Sequence, residues 1–232
     1  MKHGFTLSEI LITLGIVGVV AVLTVPSVMK NYRNRMYVAQ LQKIYAQIND
    51  AAQAIMNDEH VDNFYETSAI SKNVCTTSGE GSDKKTTCTT AENEYFLPTY
   101  FKTIKKNCAI GNNKCVGTSY TNLNGTNVGS TGNYCIQTVN GATVCSSYNP
   151  NNSVLSITVD VNGPAEPNIA GRDLFAMDIK TDASISDFNS GSNQPQVPGA
   201  SAATCGIGDE SVNNAAAGCL TSIIEAGWKM EY

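Results

Sequence analysis

From Leu7 to Val28 nearly every residue is apolar or small, interrupted only by Glu9 and a few Thr, Ser and Pro residues. At about 1.5 Å per residue such a run makes a helix of ~33 Å, enough to cross a ~30 Å hydrocarbon core. The pattern then changes period without a break. Leu41, Ile44, Tyr45, Ile48, Ala51, Ala52 and Ile55 follow the i, i+3, i+4, i+7 spacing of one helix face. One helix from about Phe5 to Asn57, ~80 Å long, is therefore predicted. Its first half would be solvated by lipid, and its second half would lay an apolar stripe on a soluble domain. Gly15, Gly18 and Pro26 interrupt it; a membrane setting tolerates them, and Pro26 removes a backbone donor and predicts a bend.

Beyond residue 60 the composition shifts to Thr, Ser, Asn and Gly, and the period becomes two. In SVLSITVDV, Leu155, Ile157, Val159 and Val161 alternate with Ser156, Thr158 and Asp160, the signature of a half-buried strand. DLFAMDI alternates again through Phe175, Met177 and Ile179. NYCIQTVNGATVCSS reads as a hairpin turning at Asn140-Gly141. A two-residue turn would set Cys135 opposite Ser146, whereas a loop of Val139 to Gly141 with Gly141 left-handed would set Cys135 opposite Cys145. Segment 75–92 reads as a stapled polar loop, 94–106 as a short helix or strand, 108–133 as loop, and 182–204 as a mobile surface loop. The tail CLTSIIEAGWKMEY reads as a short helix and a final strand carrying Trp228. The expected class is α+β: a long N-terminal helix packed on a C-terminal antiparallel sheet with disulfide-stapled loops.

The eight cysteines, Cys75, Cys88, Cys108, Cys115, Cys135, Cys145, Cys205 and Cys219, include no C-x-x-C pair, and the only histidines are His3 and His60. Zinc sites want closely spaced Cys/His pairs, so disulfides in an oxidising compartment are the better reading. Spacing suggests the local pairs 75–88, 108–115, 135–145 and 205–219, out of the 105 connectivities that eight cysteines allow. A formal net charge of −5 with no basic block disfavours nucleic acid as a partner. Lys102, Lys105 and Lys106 read as a solvated face. No nucleophile–base constellation or phosphate-binding glycine loop stands out, and no enzymatic activity is expected. Asp160 and Asn162, with Gly163 permitting a sharp turn and Asp173 beyond, are spaced like ligands of a hard cation. The alternative is a turn held by Asx-type hydrogen bonds.

The residues before the apolar run are Lys2-His3-Gly4, followed by Phe5-Thr6-Leu7-Ser8-Glu9. This combination resembles the class III leader of type IV pilins and type II secretion pseudopilins, and the similarity extends through the span and Pro26 over roughly the first 55 residues. An ordinary signal peptide would instead be followed by a small-residue cleavage site, which does not appear here. The resemblance implies that a prepilin peptidase cuts between Gly4 and Phe5 and that Phe5 becomes N-methylated. The span then stays in the mature protein. It also gives Glu9 a role. A carboxylate at bilayer depth costs about 2.5–3.5 kcal/mol on insertion scales, and such residues are usually paired. In the family the matching glutamate is thought to attract the amine of a neighbouring subunit during assembly.

The implied organisation is a leader (1–4), a transmembrane and stem helix (5–58) and an extracytoplasmic globular domain (59–232). Lys30, Arg33 and Arg35 follow the span and would by the positive-inside tendency hold that domain in the cytoplasm. The cysteine load argues for export, and long domains translocate largely regardless of such charge. The implied function is a structural subunit of a pilus-like filament, with a secretion pseudopilin as the close alternative. A non-polymerising membrane-anchored binding domain is the alternative of a different class. Implied partners are other copies or related subunits, the prepilin peptidase, assembly machinery in the inner or cytoplasmic membrane, and lipid before assembly. No cofactor is implied beyond a structural calcium, which some pseudopilins bind in a loop of the C-terminal sheet.

Overall fold

The computed structural model describes residues 6–70, 96–108, 114–131, 134–149, 154–188, 205–207 and 211–232, together with the backbone of the strands 73–78 and 85–90. The expected leader and its cut at Gly4–Phe5 lie outside the described residues. The chain forms two compact units, Met1–Met36 and Tyr37–Tyr232.

Helix α1 spans Leu7–Glu59 and runs through Pro26. Within the first unit its large apolar side chains, from Leu7 to Met29, are exposed. This one helix is long and apolar enough to cross a membrane. In the second unit Leu41, Ile44, Ile48, Ala51, Ala52 and Ile55 are buried as one stripe, with Tyr45 packed beside them. Each such large side chain contributes roughly 1.5–3 kcal/mol by leaving water. The helix ends two residues later than the apolar pattern suggests, because the stop is a backbone motif. His60 takes a left-handed φ of 54°, and the amides of His60 and Val61 reach back to the Asn57 and Met56 carbonyls at 3.3 and 3.1 Å. A 3-10 turn, Phe64–Glu66, follows.

Strands β1 (Asn73–Ser78) and β2 (Lys85–Thr90) pair antiparallel, with Cys75 opposite Cys88 in the backbone register. The segment expected as a single helix or strand holds both, α2 (Phe96–Tyr100) and β3 (Thr103–Lys105). Strands β4 (Tyr120–Thr121) and β5 (Asn127–Gly129) make a small two-stranded sheet inside the segment expected as loop. The main sheet adds β6 (Tyr134–Thr138), β7 (Thr143–Asn149), β8 (Val154–Asp160), β9 (Leu174–Ile179) and β10 (Ile185–Asp187). Its order is β10-β9-β8-β7-β6-β3, and every pair is antiparallel. β10 falls inside the stretch expected as a mobile loop; residues 189–204 lie outside those described. Helices α3 (Val212–Ala216) and α4 (Cys219–Glu225) follow. No final strand forms. Trp228 sits in the turn after α4 with φ 59° and meets Tyr45 edge-on at 5.5 Å.

The hairpin β6–β7 takes the longer loop. Cys135 pairs with Cys145 in register, Gly141 adopts φ +89°, and its amide reaches the Thr138 carbonyl at 2.9 Å. Leu155, Ile157 and Val159 face the α1 stripe, together with Phe175, Met177 and Ile179. The opposite face is not solvated as the alternation suggests. Leu174 and Ala176 pack there against Tyr120, Val128, Val212 and Ala215 in a second core. Ser156 donates to Asp178 at 2.7 Å and Thr158 to Asn213 at 3.0 Å. The β4–β5 segment and α3 cover this face, so β8 is buried on both sides.

Candidate functional site

The loop Val161–Asp173, between β8 and β9, holds three of the residues singled out in the sequence. It closes on itself where the Val161 amide reaches the Asp173 carbonyl at 2.8 Å. The turn Asp160–Gly163 brings Gly163 to φ +66°, where an added Cβ would stand 2.5 Å from the Gly141 carbonyl oxygen. Only glycine fits both that conformation and that approach to the β6–β7 turn. Asp173 Oδ1 accepts from the Ile169 amide at 2.7 Å, and Asn162 Nδ2 donates to the Ala165 carbonyl at 2.6 Å. These bonds are the Asx-type turn chemistry of the alternative reading, and they use only part of the polar capacity present.

What they leave over is unusual. Asp160 Oδ1, Asn162 Oδ1, Asn168 Oδ1 and Asp173 Oδ2 are each shut off from solvent without a hydrogen bond of good geometry. Only Gln40 Oε1 and Thr131 Oγ1 share that condition among the described residues. A buried polar oxygen left unpaired costs about 1–3 kcal/mol, and more if charged. Two of the four belong to carboxylates that feel each other's charge. Burial first, and then Asp173, pushes Asp160 up to about 8, against the pull of the Tyr120 hydroxyl and of the Asn162 and Gly163 amides. Burial likewise pushes Asp173 up to about 7, with the Ile169 amide pulling it down. Such a pair is relieved either by protons or by a bound cation.

Tyr120 closes the site from the β4 side. Its hydroxyl donates to Asp160 Oδ2 at 2.6 Å and accepts from the Gly117 amide at 3.0 Å. Burial and the Asp160 charge raise its pKa and keep it a donor. Thr121 reaches the loop through backbone bonds to Asn168 and Ala170, at 3.0 and 2.8 Å. The approach is anchored by two adjacent disulfides. Cys108–Cys115 and Cys135–Cys145 share a small buried cluster with Val116, and the Cys108 amide reaches the Cys135 carbonyl at 3.0 Å. Thr143 Oγ1 donates to the Cys115 carbonyl. Cys205–Cys219 forms the third bond. Three of the four local pairings expected from spacing are thus present; the side chains of Cys75 and Cys88 lie outside those described.

The donor set is all oxygen: two carboxylates and two amides. That chemistry suits a hard cation of the calcium class and not zinc, copper or a thiolate-bound metal. Among the described residues no group of three or more His, Cys, Asp and Glu side chains gathers where it could hold a metal ion. Asn168 and Tyr120 escaped the sequence reading. A proline-flanked asparagine carries no spacing signal, and Tyr120 stands forty positions from Asp160.

At the other end of the chain, Glu9 Oε2 accepts from the Thr6 amide and the Thr6 hydroxyl, both at 2.8 Å. The Glu9 amide points back at Thr6 Oγ1, 3.3 Å away. Thr6-x-x-Glu9 is therefore a capping box that opens α1, a role the sequence reading did not give Glu9. Its partners are uncharged. Gly15 and Gly18 have open space where a Cβ would stand, so no packing within the chain requires glycine there. Comparison with known proteins adds nothing to this picture: no family model, no curated protein and no solved structure matches the chain.

Proposed function

We propose that this chain is a structural subunit of a pilus-like filament, inserted with a short leader and cut between Gly4 and Phe5. The mature helix, N-methylated at Phe5, would assemble with other copies in the inner or cytoplasmic membrane. The observation that carries this reading is the first turn of α1. There a carboxylate held only by uncharged groups heads a helix whose large apolar side chains from Leu7 to Met29 are all exposed. Lipid covers those side chains before assembly, but it offers nothing to the charge on Glu9. The amine of a neighbouring copy's Phe5 would supply the missing partner, and Gly15 and Gly18 would let helices approach closely. The second unit would then stand outside the cytoplasm, where its disulfides persist. No catalytic role is proposed.

The capping box makes the test sharper. Glutamine also closes such a box, so Glu9→Gln removes the charge and keeps the helix start. Filament yield from sheared cells should fall by about tenfold or more, while the membrane pool of cleaved monomer holds or rises. Unchanged yield from this variant would sink the docking role, and favour the membrane-anchored binding domain. Mass spectrometry of the mature chain should find N-methylated Phe5; a terminus beyond residue 25 would end the filament reading.

A second reading within the same class, the type II secretion pseudopilin, is favoured by the β8–β9 loop. We infer that Asp160, Asn162, Asn168 and Asp173 hold a structural calcium ion. A divalent cation there would neutralise the carboxylates and take up oxygens that now lack a hydrogen bond. Calcium titration of the full chain in detergent, followed by melting temperature, tests this directly. The expected shift is derived in the Discussion.

A further inference from the structure

We infer that the globular units of neighbouring copies meet head to tail, with the β3 edge of one sheet against the β9–β10 end of the next. The inference rests on the filament reading and says which surfaces of the second unit would touch. Charge along the sheet is segregated. Between Glu94 and Asp160 the chain carries no acidic residue, and in that stretch Lys102, Lys105, Lys106 and Lys114 are all exposed. Three of them lie on or beside β3, at one edge of the main sheet. Ile104 on that strand is 60 % exposed and Val139 at the hairpin tip 57 %. The Val139 amide reaches the Lys102 carbonyl at 3.0 Å, so the two apolar side chains stand within a lysine rim. An apolar centre with a charged border is the usual anatomy of an interface.

The other edge carries the opposite sign. The Phe64 amide donates to the Thr181 carbonyl at 2.8 Å and the Tyr65 hydroxyl to the Ile179 carbonyl at 2.8 Å. These bonds fasten the 3-10 turn to the β9–β10 connection. They bring exposed Asp62, Glu66 and Asp182 to one end of the sheet, with Lys180 the cation beside them, and half-buried Tyr65 and Ile185 between. Six strands at about 4.8 Å set the two edges roughly 24 Å apart. That exceeds the ~8 Å screening length at physiological salt, so Asp182 beside β10 leaves the β3 lysines unneutralised within one copy; the acid on the β3 side is Asp58, which accepts from the Tyr100 hydroxyl at 2.8 Å. Two β3 edges would repel, since lysines on an edge strand oppose pairing with their like. Unlike edges attract, which selects a heterologous contact. Repeated, such a contact closes into a ring or winds into an open helix. A second copy of this chain is therefore the occupant that fits both edges at once.

The test is zero-length carbodiimide coupling of the full chain in detergent, on an equal mixture of isotope-labelled and unlabelled protein. Mixed-isotope links should join Lys102, Lys105 or Lys106 to Asp62, Glu66 or Asp182. The K102E/K105E/K106E variant should lose about tenfold of these links, and adding D62K/E66K/D182K should restore them. Restoration by the second reversal excludes misfolding as the cause of the loss. Mixed links running mainly to other acids, or no restoration in a double-reversed protein that keeps its disulfides, would overturn the contact. Filaments that keep their Glu9 dependence while showing none of these links would overturn it too, and leave the filament reading standing. Binding of anionic polymers to the β3 edge, with copies left unlinked, would reassign that edge to a different partner and overturn the proposal.

Discussion

Asp187 on β10, Asp160 at the end of β8 and Asp173 just before β9 are all buried, yet they are held in different ways. Asp187 closes the start of α4, with its two oxygens accepting from the Gly218 and Thr221 amides at 2.8 and 2.7 Å. Burial raises its pKa, but those amides work against the rise. Asp160 is drawn on by the Tyr120 hydroxyl and the Asn162 and Gly163 amides, yet it feels the Asp173 charge, and each of the two carboxylates keeps one oxygen without a well-formed hydrogen bond. A buried carboxylate with a full set of donors is part of the scaffold. One that keeps an open oxygen beside a second charge can take a ligand or a proton. On the calcium reading proposed above, this difference separates a binding loop from a structural carboxylate.

The same change at both places should give opposite signs. Asp187→Asn turns an amide donor toward a backbone donor and leaves one of the two α4 amides without an acceptor. A loss of about 3 kcal/mol is expected, or roughly 6–12 °C in melting temperature for a domain of this size. Calcium should not rescue it. Asp173→Asn keeps an acceptor for the Ile169 amide and removes one charge from the pair. In chelator at pH 8 its melting temperature should match or exceed that of the unaltered chain. Equal losses from both variants would erase the distinction.

Calcium gives the next largest effect. At about a hundredfold excess over its dissociation constant, a ligand that binds only the folded state adds about 2.7 kcal/mol. The unaltered chain should then melt roughly 5–10 °C higher with calcium than with chelator. Asp160→Asn and Asp173→Asn should lose the response, whereas Asp187→Asn should keep it. An unaltered chain indifferent to millimolar calcium would return the loop to a hydrogen-bonded turn.

The pH dependence follows from linkage. Asp160 and Asp173 lie at about 8 and about 7 in the folded chain, against 3.8 in an unperturbed one. Below pH 4 both states are protonated and this contribution to stability is fully present. Between pH 4 and 8 the unfolded chain has released protons that the folded chain still holds, so stability in chelator should fall as pH rises. Calcium must displace those protons, so its affinity should strengthen over the same window, by up to about tenfold per pH unit for each proton displaced. Calorimetric titration at pH 6, 7 and 8 checks the sign. A calcium affinity that is flat across this range would mean that the ion meets no protonated carboxylate.

The smallest expected change is Asn168→Ala. Removing one amide oxygen from the set should weaken calcium about fivefold, near 1 kcal/mol, with little effect on the melting temperature in chelator. Because the Asn168 backbone also accepts from Thr121, Asn168→Asp serves as the companion variant. It keeps the oxygen, adds charge and should bind calcium at least as tightly.

Much of the scaffold was legible because it depends on near neighbours in sequence. The α1 stripe and the alternation in β8 and β9 each follow from a short repeat, whereas the β6–β7 hairpin was legible with its loop length open, and the register of Cys135 with Cys145 decided for the longer one. Three disulfides matched the nearest-cysteine pairing, because short loops bring their ends together at least cost. Asp160, Asn162 and Asp173 were read together for the same reason, since they stand close in sequence at the end of β8 and on the loop that follows. Glu9 was read for its charge, and its capping box was missed although Thr6 lies three positions away.

The sequence by itself determined the two patterns of the long helix, apolar all round and then a one-sided stripe, together with the strand faces that meet the stripe and the oxygen-rich loop, because periodicity and local spacing state them directly. Tertiary structure alone decided that the outer face of β8 is covered, since the apolar partners Tyr120, Val128 and Val212 come from distant segments with no pattern of their own. It also decided which carboxylates are satisfied. Asp187 finds its donors 31 and 34 positions away, and Asp160 finds Tyr120 at 40. An alternating strand reads the same whether water, a second layer or a cation lies on its polar side. Only the packing of remote segments removes the water and turns a polar row into a buried site.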